Sequence, residues 1–111
     1  MEYEVQKQGE VVVLAPAGEI DASNIPELQG AFSQILQKGN TKIVVDMSSV
    51  SYMDSSALGV LVNSLKLLRR EQGSLKLANL NGNVERIFKL TRLINFFEAY
   101  PSTEQAILSF N

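Results

Sequence analysis

The chain has 111 residues, of which 45% are hydrophobic and 20% are charged, and its formal net charge is −2. This length and balance predict one globular domain over residues 1–111 that buries a core without disulfide or metal support. Cysteine and histidine are both absent, which excludes thiolate chemistry, imidazole metal sites and a Ser-His-Asp triad. The slight negative charge argues against a nucleic-acid binder.

The first third of the chain predicts a hairpin followed by a helix. Tyr3 and Val5 alternate with polar residues, Gln8 and Gly9 predict a turn, and the apolar run 11–14 continues as a second strand. Apolar residues then recur at helical spacing over 26–38, with Ser23 or Asn24 in position to cap the helix. We therefore expect the sheet to begin with an antiparallel pair.

The remainder alternates strand and helix patterns. Residues 48–54 are polar and predict a loop. The other predicted elements are strands over 41–47, 74–80 and 93–100, and helices over about 55–70, over 81–91 and from 102 onwards. This alternation predicts an α/β fold in which a mixed sheet, with an N-terminal hairpin and a parallel centre, is packed with about four helices.

The N-terminus lacks a basic region followed by an apolar one, and no apolar run reaches about 18 residues. The sequence therefore predicts no signal peptide and no membrane span. We expect a cytoplasmic domain.

The stretch "MDSSALGVLV" at 53–62 and its surroundings contain residue types that serve several kinds of chemistry in other proteins. Ser55 or Ser56 lacks both the glycines of a nucleophile elbow and a partner base. No phosphate-binding glycine pattern occurs, and the scattered acids Asp21, Asp46 and Asp54 are a weak signal for a divalent cation. We expect no catalytic residue, no metal and no cofactor, so the chain is not expected to be an enzyme.

The start of the helix near Ser55 has a simple structural interpretation, in which Asp54 or Ser55 caps the helix. A helical wheel places a core stripe on one side, formed by Leu58, Leu61, Val62, Leu65 and Leu68. A second stripe on the opposite side contains Ser56, Val60, Asn63 and Leu67. Either another element covers this second stripe or it forms a docking surface.

Two segments carry a resemblance to a known family. "GEIDASN" at 18–24 and "IVVDMSSVSYMDSSALG" at 43–59 resemble the signature segments of STAS domains, and in particular of bacterial anti-sigma factor antagonists. The resemblance covers nearly the whole chain, including its length and element order. It implies the α/β fold described above and a role in transcription regulation by partner switching.

The resemblance implies the roles of individual residues. Ser55 matches the serine that is phosphorylated in the family, Ser56 matches the serine after it, and Asp21 matches an acid near the phosphorylation site. The family's usual glycine is replaced by Ala57, whose methyl group is expected to narrow a kinase's approach to Ser55. The residues expected to bind a partner are Asp21, Asp54, Ser56, Leu58, Gly59 and Val60.

The implied partner is an anti-sigma factor that is also a serine kinase, with a serine phosphatase as a further partner. In this interpretation the unphosphorylated chain binds the anti-sigma factor and releases the sigma factor, and phosphorylation of Ser55 ends the binding because it adds negative charge to the contact surface. The alternative is a STAS-type scaffold or a module that senses a nucleotide or lipid without such a kinase.

Overall fold

The computed structural model describes all 111 residues. Six strands and four helices follow one another along the chain, and two single turns of 3₁₀ helix precede α1 and β6. The elements are β1 (Glu2–Gln8), β2 (Val11–Ile20), α1 (Ile25–Gln37), β3 (Lys42–Asp46), β4 (Val50–Met53), α2 (Ser55–Arg70), β5 (Ser74–Ala78), α3 (Gly82–Leu90), β6 (Glu98–Tyr100) and α4 (Thr103–Leu108).

The sheet has the strand order β1-β2-β3-β5-β6, with β4 paired to β2. Only β1 and β2 are antiparallel, and every other pair is parallel. The predicted mixed α/β sheet, with its N-terminal hairpin, parallel centre and four helices, is therefore confirmed.

The two faces of the sheet carry unequal cores. On one face, α1, α2 and α3 enclose a cluster of 23 buried residues that includes Leu14, Phe32, Leu61 and Phe88. On the other face, α4 covers a cluster of only five, which are Val11, Val13, Val44, Ala78 and Ala106. No helix combines the length and apolar character that crossing a bilayer would need.

The long strand β2 explains a feature that the sequence did not predict. Its first half pairs with β3, from Val12 to Leu14, and its second half pairs with β4, from Gly18 to Ile20. Residues 50–53, predicted as part of a loop, are therefore a strand. The polar pattern of this segment is misleading because only its two end residues, Val50 and Met53, are buried.

The other predicted elements are confirmed, with shifts at their ends. The helix at 55–70 has the predicted bounds. The strand predicted over 93–100 is shorter, because a 3₁₀ turn occupies Leu93–Asn95 and the strand covers only Glu98–Tyr100.

Candidate functional site

The pairing of β2 with β4 brings two acidic residues to one edge of the sheet. Ile20 and Met53 are paired residues of parallel strands, and Asp21 and Asp54 directly follow them. Neighbouring strands lie about 4.8 Å apart, and the backbone N–H of Asp54 donates to the carbonyl of Ile20 at 3.2 Å. The two acids are therefore neighbours at the carboxyl ends of these strands, where α/β proteins commonly form their sites.

Asp54 is the N-cap of α2. Its Oδ1 accepts hydrogen bonds from the backbone N–H groups of Ser56 at 2.9 Å and Ala57 at 3.4 Å, as a helix start requires. Ser55 and Ser56 occupy the first turn with exposed side chains, and neither hydroxyl forms a hydrogen bond with another group of the chain. The first turn of α2 is thus held by Asp54, while both hydroxyls face solvent.

Asp21 caps the 3₁₀ turn Ala22–Asn24 in a capping box. Its carboxylate accepts from the Ser23 hydroxyl at 2.5 Å and from the Ser23 N–H at 2.9 Å. These two hydrogen bonds lower the pKa of Asp21 below its ordinary value, because both stabilise the charged form of the carboxylate. The bond from the Ser23 hydroxyl has the larger effect and the bond from the Ser23 N–H the smaller one. The stability that the charged Asp21 carboxylate contributes is present above the ordinary pKa of aspartate. It is lost as pH falls through the lowered pKa of Asp21 in the folded protein. At neutral pH, Asp21 therefore carries a full negative charge.

Asn83, in the first turn of α3, contacts the end of β4 directly before the Asp54 cap. Its Oδ1 accepts a hydrogen bond from the backbone N–H of Met53 at 3.0 Å. This bond satisfies an edge donor of β4 immediately before the Asp54 cap, so α3 helps to fix the site. The sequence predicts only a helix over 81–91 here, because nothing in it indicates that β4 needs an edge partner.

Part of the predicted contact surface lies in the core. Leu58 and Val60 are 2% and 8% exposed, respectively, and both belong to the main core cluster. Of the two alternatives left open for the second stripe, cover by another element holds at Val60: α1 packs beside this side of α2, and Val60 lies at the base of the groove between the two helices. Of the second stripe, Ser56, Asn63 and Leu67 are exposed.

The expected effect of Ala57 is also corrected. Ala57 has no exposed surface and belongs to the main core cluster, so its methyl group points into the protein. It does not narrow the approach to Ser55. Gly59 lies one turn after Ser55 on the exposed side, and the space above its Cα is open.

The three acids Asp21, Asp46 and Asp54 do not converge on one point. Asp46 accepts hydrogen bonds from the Ser48 N–H at 3.0 Å and from Asn79 Nδ2 at 2.9 Å. No group of three or more acidic side chains lies close enough to hold a metal ion. The geometry of Asp21 and Asp54 is that of two capping acids beside exposed hydroxyls.

Comparisons with known proteins agree with this fold. Residues 2–106 match the model of the STAS domain, so the chain belongs to the STAS domain family. It is 30% identical over 104 residues to the anti-sigma-B factor antagonist of Staphylococcus aureus, a match that covers 94% of this chain and 96% of that one. It is also 39% identical over 82 residues to the protein of the same name from Listeria monocytogenes, covering 74% of this chain and 72% of that one.

A solved structure extends the likeness to three dimensions. The anti-sigma factor antagonist from Mycobacterium paratuberculosis superposes with a TM-score of 0.89 at 25% identity, covering 97% of this chain and 92% of that one. The resemblance inferred from the two signature segments is thereby confirmed.

Proposed function

We propose that this chain is an anti-sigma factor antagonist whose docking surface surrounds the N-terminus of α2. The partner is an anti-sigma factor with serine kinase activity. The unphosphorylated chain binds that partner and so releases a sigma factor, and phosphorylation of Ser55 ends the binding. Relatives named as antagonists over nearly the whole chain support the general role.

The observation that carries the proposal is the state of Ser55. Its side chain is exposed at the first position of α2, and its hydroxyl forms no hydrogen bond within the chain. The cap of the helix is made by Asp54 instead. A kinase therefore reaches this hydroxyl without breaking a native contact, and the fold does not depend on leaving it unmodified.

The charge of the surroundings explains how a phosphate would act. A phosphoserine adds about −1.5 to −2 charges beside Asp54 and Asp21, two acids held in place by capping hydrogen bonds. The positive end of the α2 dipole stabilises part of this charge, so the domain stays folded. A docked partner has to remove water from three adjacent negative groups, which is costly, so the complex dissociates.

The docking surface consists of the exposed residues around this helix start. Ser55, Ser56 and Gly59 line one side of the first turns of α2, and the open space above Gly59 admits a closely approaching partner. Asp21 and Asp54 flank these residues. Leu58 and Val60 contribute from below, because their packing in the core holds α2 in place. A serine phosphatase would restore the binding form.

Substitutions of Ser55 test the charge mechanism directly. Ser55→Asp should weaken binding to the anti-sigma factor kinase at least tenfold, which corresponds to about 1.4 kcal/mol. Ser55→Asn is the matched control, because it has nearly the same shape without the charge and should bind within a few-fold of wild type. Isothermal titration calorimetry with the purified kinase measures both constants, and equal losses for Asp and Asn would refute an electrostatic switch.

Phosphorylation itself is tested by mass spectrometry after incubation with Mg-ATP and the same kinase. The expected result is one phosphate on Ser55, none on the Ser55→Ala variant, and Ser56 unmodified. If the chain neither forms a complex with such a kinase nor gains mass, the alternative of a STAS-type scaffold or a nucleotide- or lipid-sensing module takes its place.

A further inference from the structure

The strand β1 is an open edge of the sheet. It is bonded to β2 on one side and to no strand on the other, and all seven of its residues are exposed. Tyr3 and Val5, 37% and 47% exposed, are two of the six large hydrophobic side chains on the surface. Long edge strands with free N–H and C=O groups are templates for pairing with another strand.

The hairpin turn determines which backbone groups of β1 face outward. The turn has two residues, with Gly9 in the left-handed region at φ 63°, and the residues flanking such a turn exchange both hydrogen bonds. Gln8 therefore bonds to Val11, and by alternation the even-numbered residues of β1 bond to β2. The backbone groups of Tyr3, Val5 and Lys7 consequently point away from the sheet.

We propose that two copies of this chain associate through their β1 strands, antiparallel, with the two-fold axis at Val5. Val5 is the middle residue of Glu2–Gln8, so this register pairs all seven residues. Val5 pairs with itself, and Tyr3 pairs with Lys7 of the second copy, in both directions. Each of these three pairs exchanges two backbone hydrogen bonds, and the two sheets become one continuous sheet.

The charges of β1 favour this register over the registers whose axis lies at Tyr3 or at Lys7. About Val5, Glu4 faces Gln6 and Glu2 faces Gln8, so no two like charges lie opposite each other. An axis at Lys7 would place two lysines face to face, and an axis at Tyr3 would place Glu2 against Glu4. Like charges directly opposite are destabilising in a sheet. A parallel, in-register arrangement would align every charged residue with its own copy.

A pocket beside the edge fits the same arrangement. Tyr3, Val5 and Lys7 lie on the face of the sheet that α1 covers, since their partners in β2 are Pro16, Leu14 and Val12. A pocket of about 240 Å³ opens there, lined by Val5, Lys7, Val12, Ala31, Gln34, Ile35, Lys38 and Asn40. The proposed register brings Tyr3 of the second copy opposite Lys7, next to this pocket. There the Tyr3 ring covers apolar surface, and its hydroxyl meets the ammonium groups of Lys7 and Lys38.

Sedimentation equilibrium of the full chain tests the association. The weight-average mass should rise from 12.2 kDa towards twice that value as concentration increases. Val5→Lys and Val5→Glu should each remain monomeric, because each places two like charges at the axis, while an equimolar mixture of the two should recover the dimer. A wild-type chain that stays monomeric up to about 1 mM, or a dimer that survives Val5→Lys, would overturn the proposal.

A cross-linking experiment tests the position of the axis independently. The chain has no cysteine, so Val5→Cys introduces a single thiol. Paired residues of this kind have Cα atoms about 5.5 Å apart, which suits a disulfide, and oxidation should give a covalent dimer. Tyr3→Cys is the matched control, because Tyr3 lies four residues along the strand from its own copy and should not cross-link. Equal cross-linking of both variants would exclude the register.

Melting curves keep both tests interpretable. Val5 is half-exposed, so its variants should melt within a few degrees of the wild-type monomer. Because β1 contributes no residue to the docking surface on α2, failure of this proposal leaves the proposed function untouched.

Discussion

Val60 shows that the burial of a single side chain depends on which neighbouring element covers it. The side chain is 8% exposed, whereas Leu67, on the same side of α2, is 45% exposed. The two residues share a helical face, but only Val60 lies deep enough to be covered by α1. A charge introduced at these two positions should therefore have different effects on stability.

Val60→Glu should lower the free energy of unfolding by about 2–4 kcal/mol, because a carboxylate replaces a buried methyl pair. Leu67→Glu should change it by no more than about 0.5 kcal/mol, as expected of a surface substitution. Urea denaturation followed by circular dichroism measures both. Similar small effects for the two variants would mean that α1 does not cover Val60.

Several site residues could be predicted from the sequence because their roles are local. A cap at Asp54 or Ser55 and accessible serines at the helix start follow from residue types and their order alone, and the structure selects Asp54 as the cap. The orientation of Val60 and the burial of Ala57 do not, because a helical wheel gives an angle around the axis and not the identity of the covering element. Asn83 was missed for the same reason, since its partner lies 30 residues away.

At the scale of the element, the C-terminus of α2 ends in a Schellman motif with an unusual residue. The N–H of Gly73 donates to the Leu68 carbonyl at 2.8 Å, and the N–H of Gln72 donates to the Arg69 carbonyl at 3.1 Å. Gln72 holds the left-handed position, at φ 61°, where glycine is usual. Gly73 follows with ordinary φ but against the carbonyl of Thr41, which a Cβ would approach to 2.0 Å.

Gln72→Gly should therefore stabilise the protein by about 0.5–1 kcal/mol, because it relieves the left-handed strain of a residue with a side chain. Gly73→Ala, one position later, should destabilise it by about 1–3 kcal/mol through the clash with Thr41. Thermal melting of the two variants beside wild type makes the comparison. A loss of stability on Gln72→Gly would contradict this account of the helix end.

The elements that could be predicted from the sequence are those with a strong period of their own. The hairpin and α2 follow from alternation and from helical spacing bounded by caps. The strand β4 has four residues and one buried position at each end, so its strand character comes from the partner that β2 provides. That pairing is tertiary and leaves no periodic pattern in the segment itself.

At the scale of the whole molecule, the α4 face is the smaller of the two cores and depends on one short helix. Lys76 crosses from the sheet to this helix, where its Nζ donates to Ser109 Oγ at 2.9 Å and to the Ser109 carbonyl at 3.1 Å. It also lies 4.3 Å from the centre of the Phe110 ring. These contacts hold residues 109–110, directly after α4, against β5.

Removal of α4 tests how much this fastening contributes. A chain that ends at residue 102 loses the packing of Ala106, Ile107 and Phe110 and exposes Val13 and Val44, so it should be less stable by at least about 3 kcal/mol. A chain that ends at residue 110 lacks only the exposed Asn111 and serves as the control. Equal urea midpoints for the two chains would show that the second core contributes little.

The hydrogen bond from Met53 to Asn83 has a consequence for the timing of local motions. The amide proton of Met53 is protected from exchange with solvent by a side chain of α3 and not by a neighbouring strand. Met53 directly precedes the Asp54 cap. The exchange rate of its amide proton therefore reports how often α3 separates from the sheet edge at this position. A ligand or phosphate that tightens this edge would slow that one proton even where no atom changes its average position.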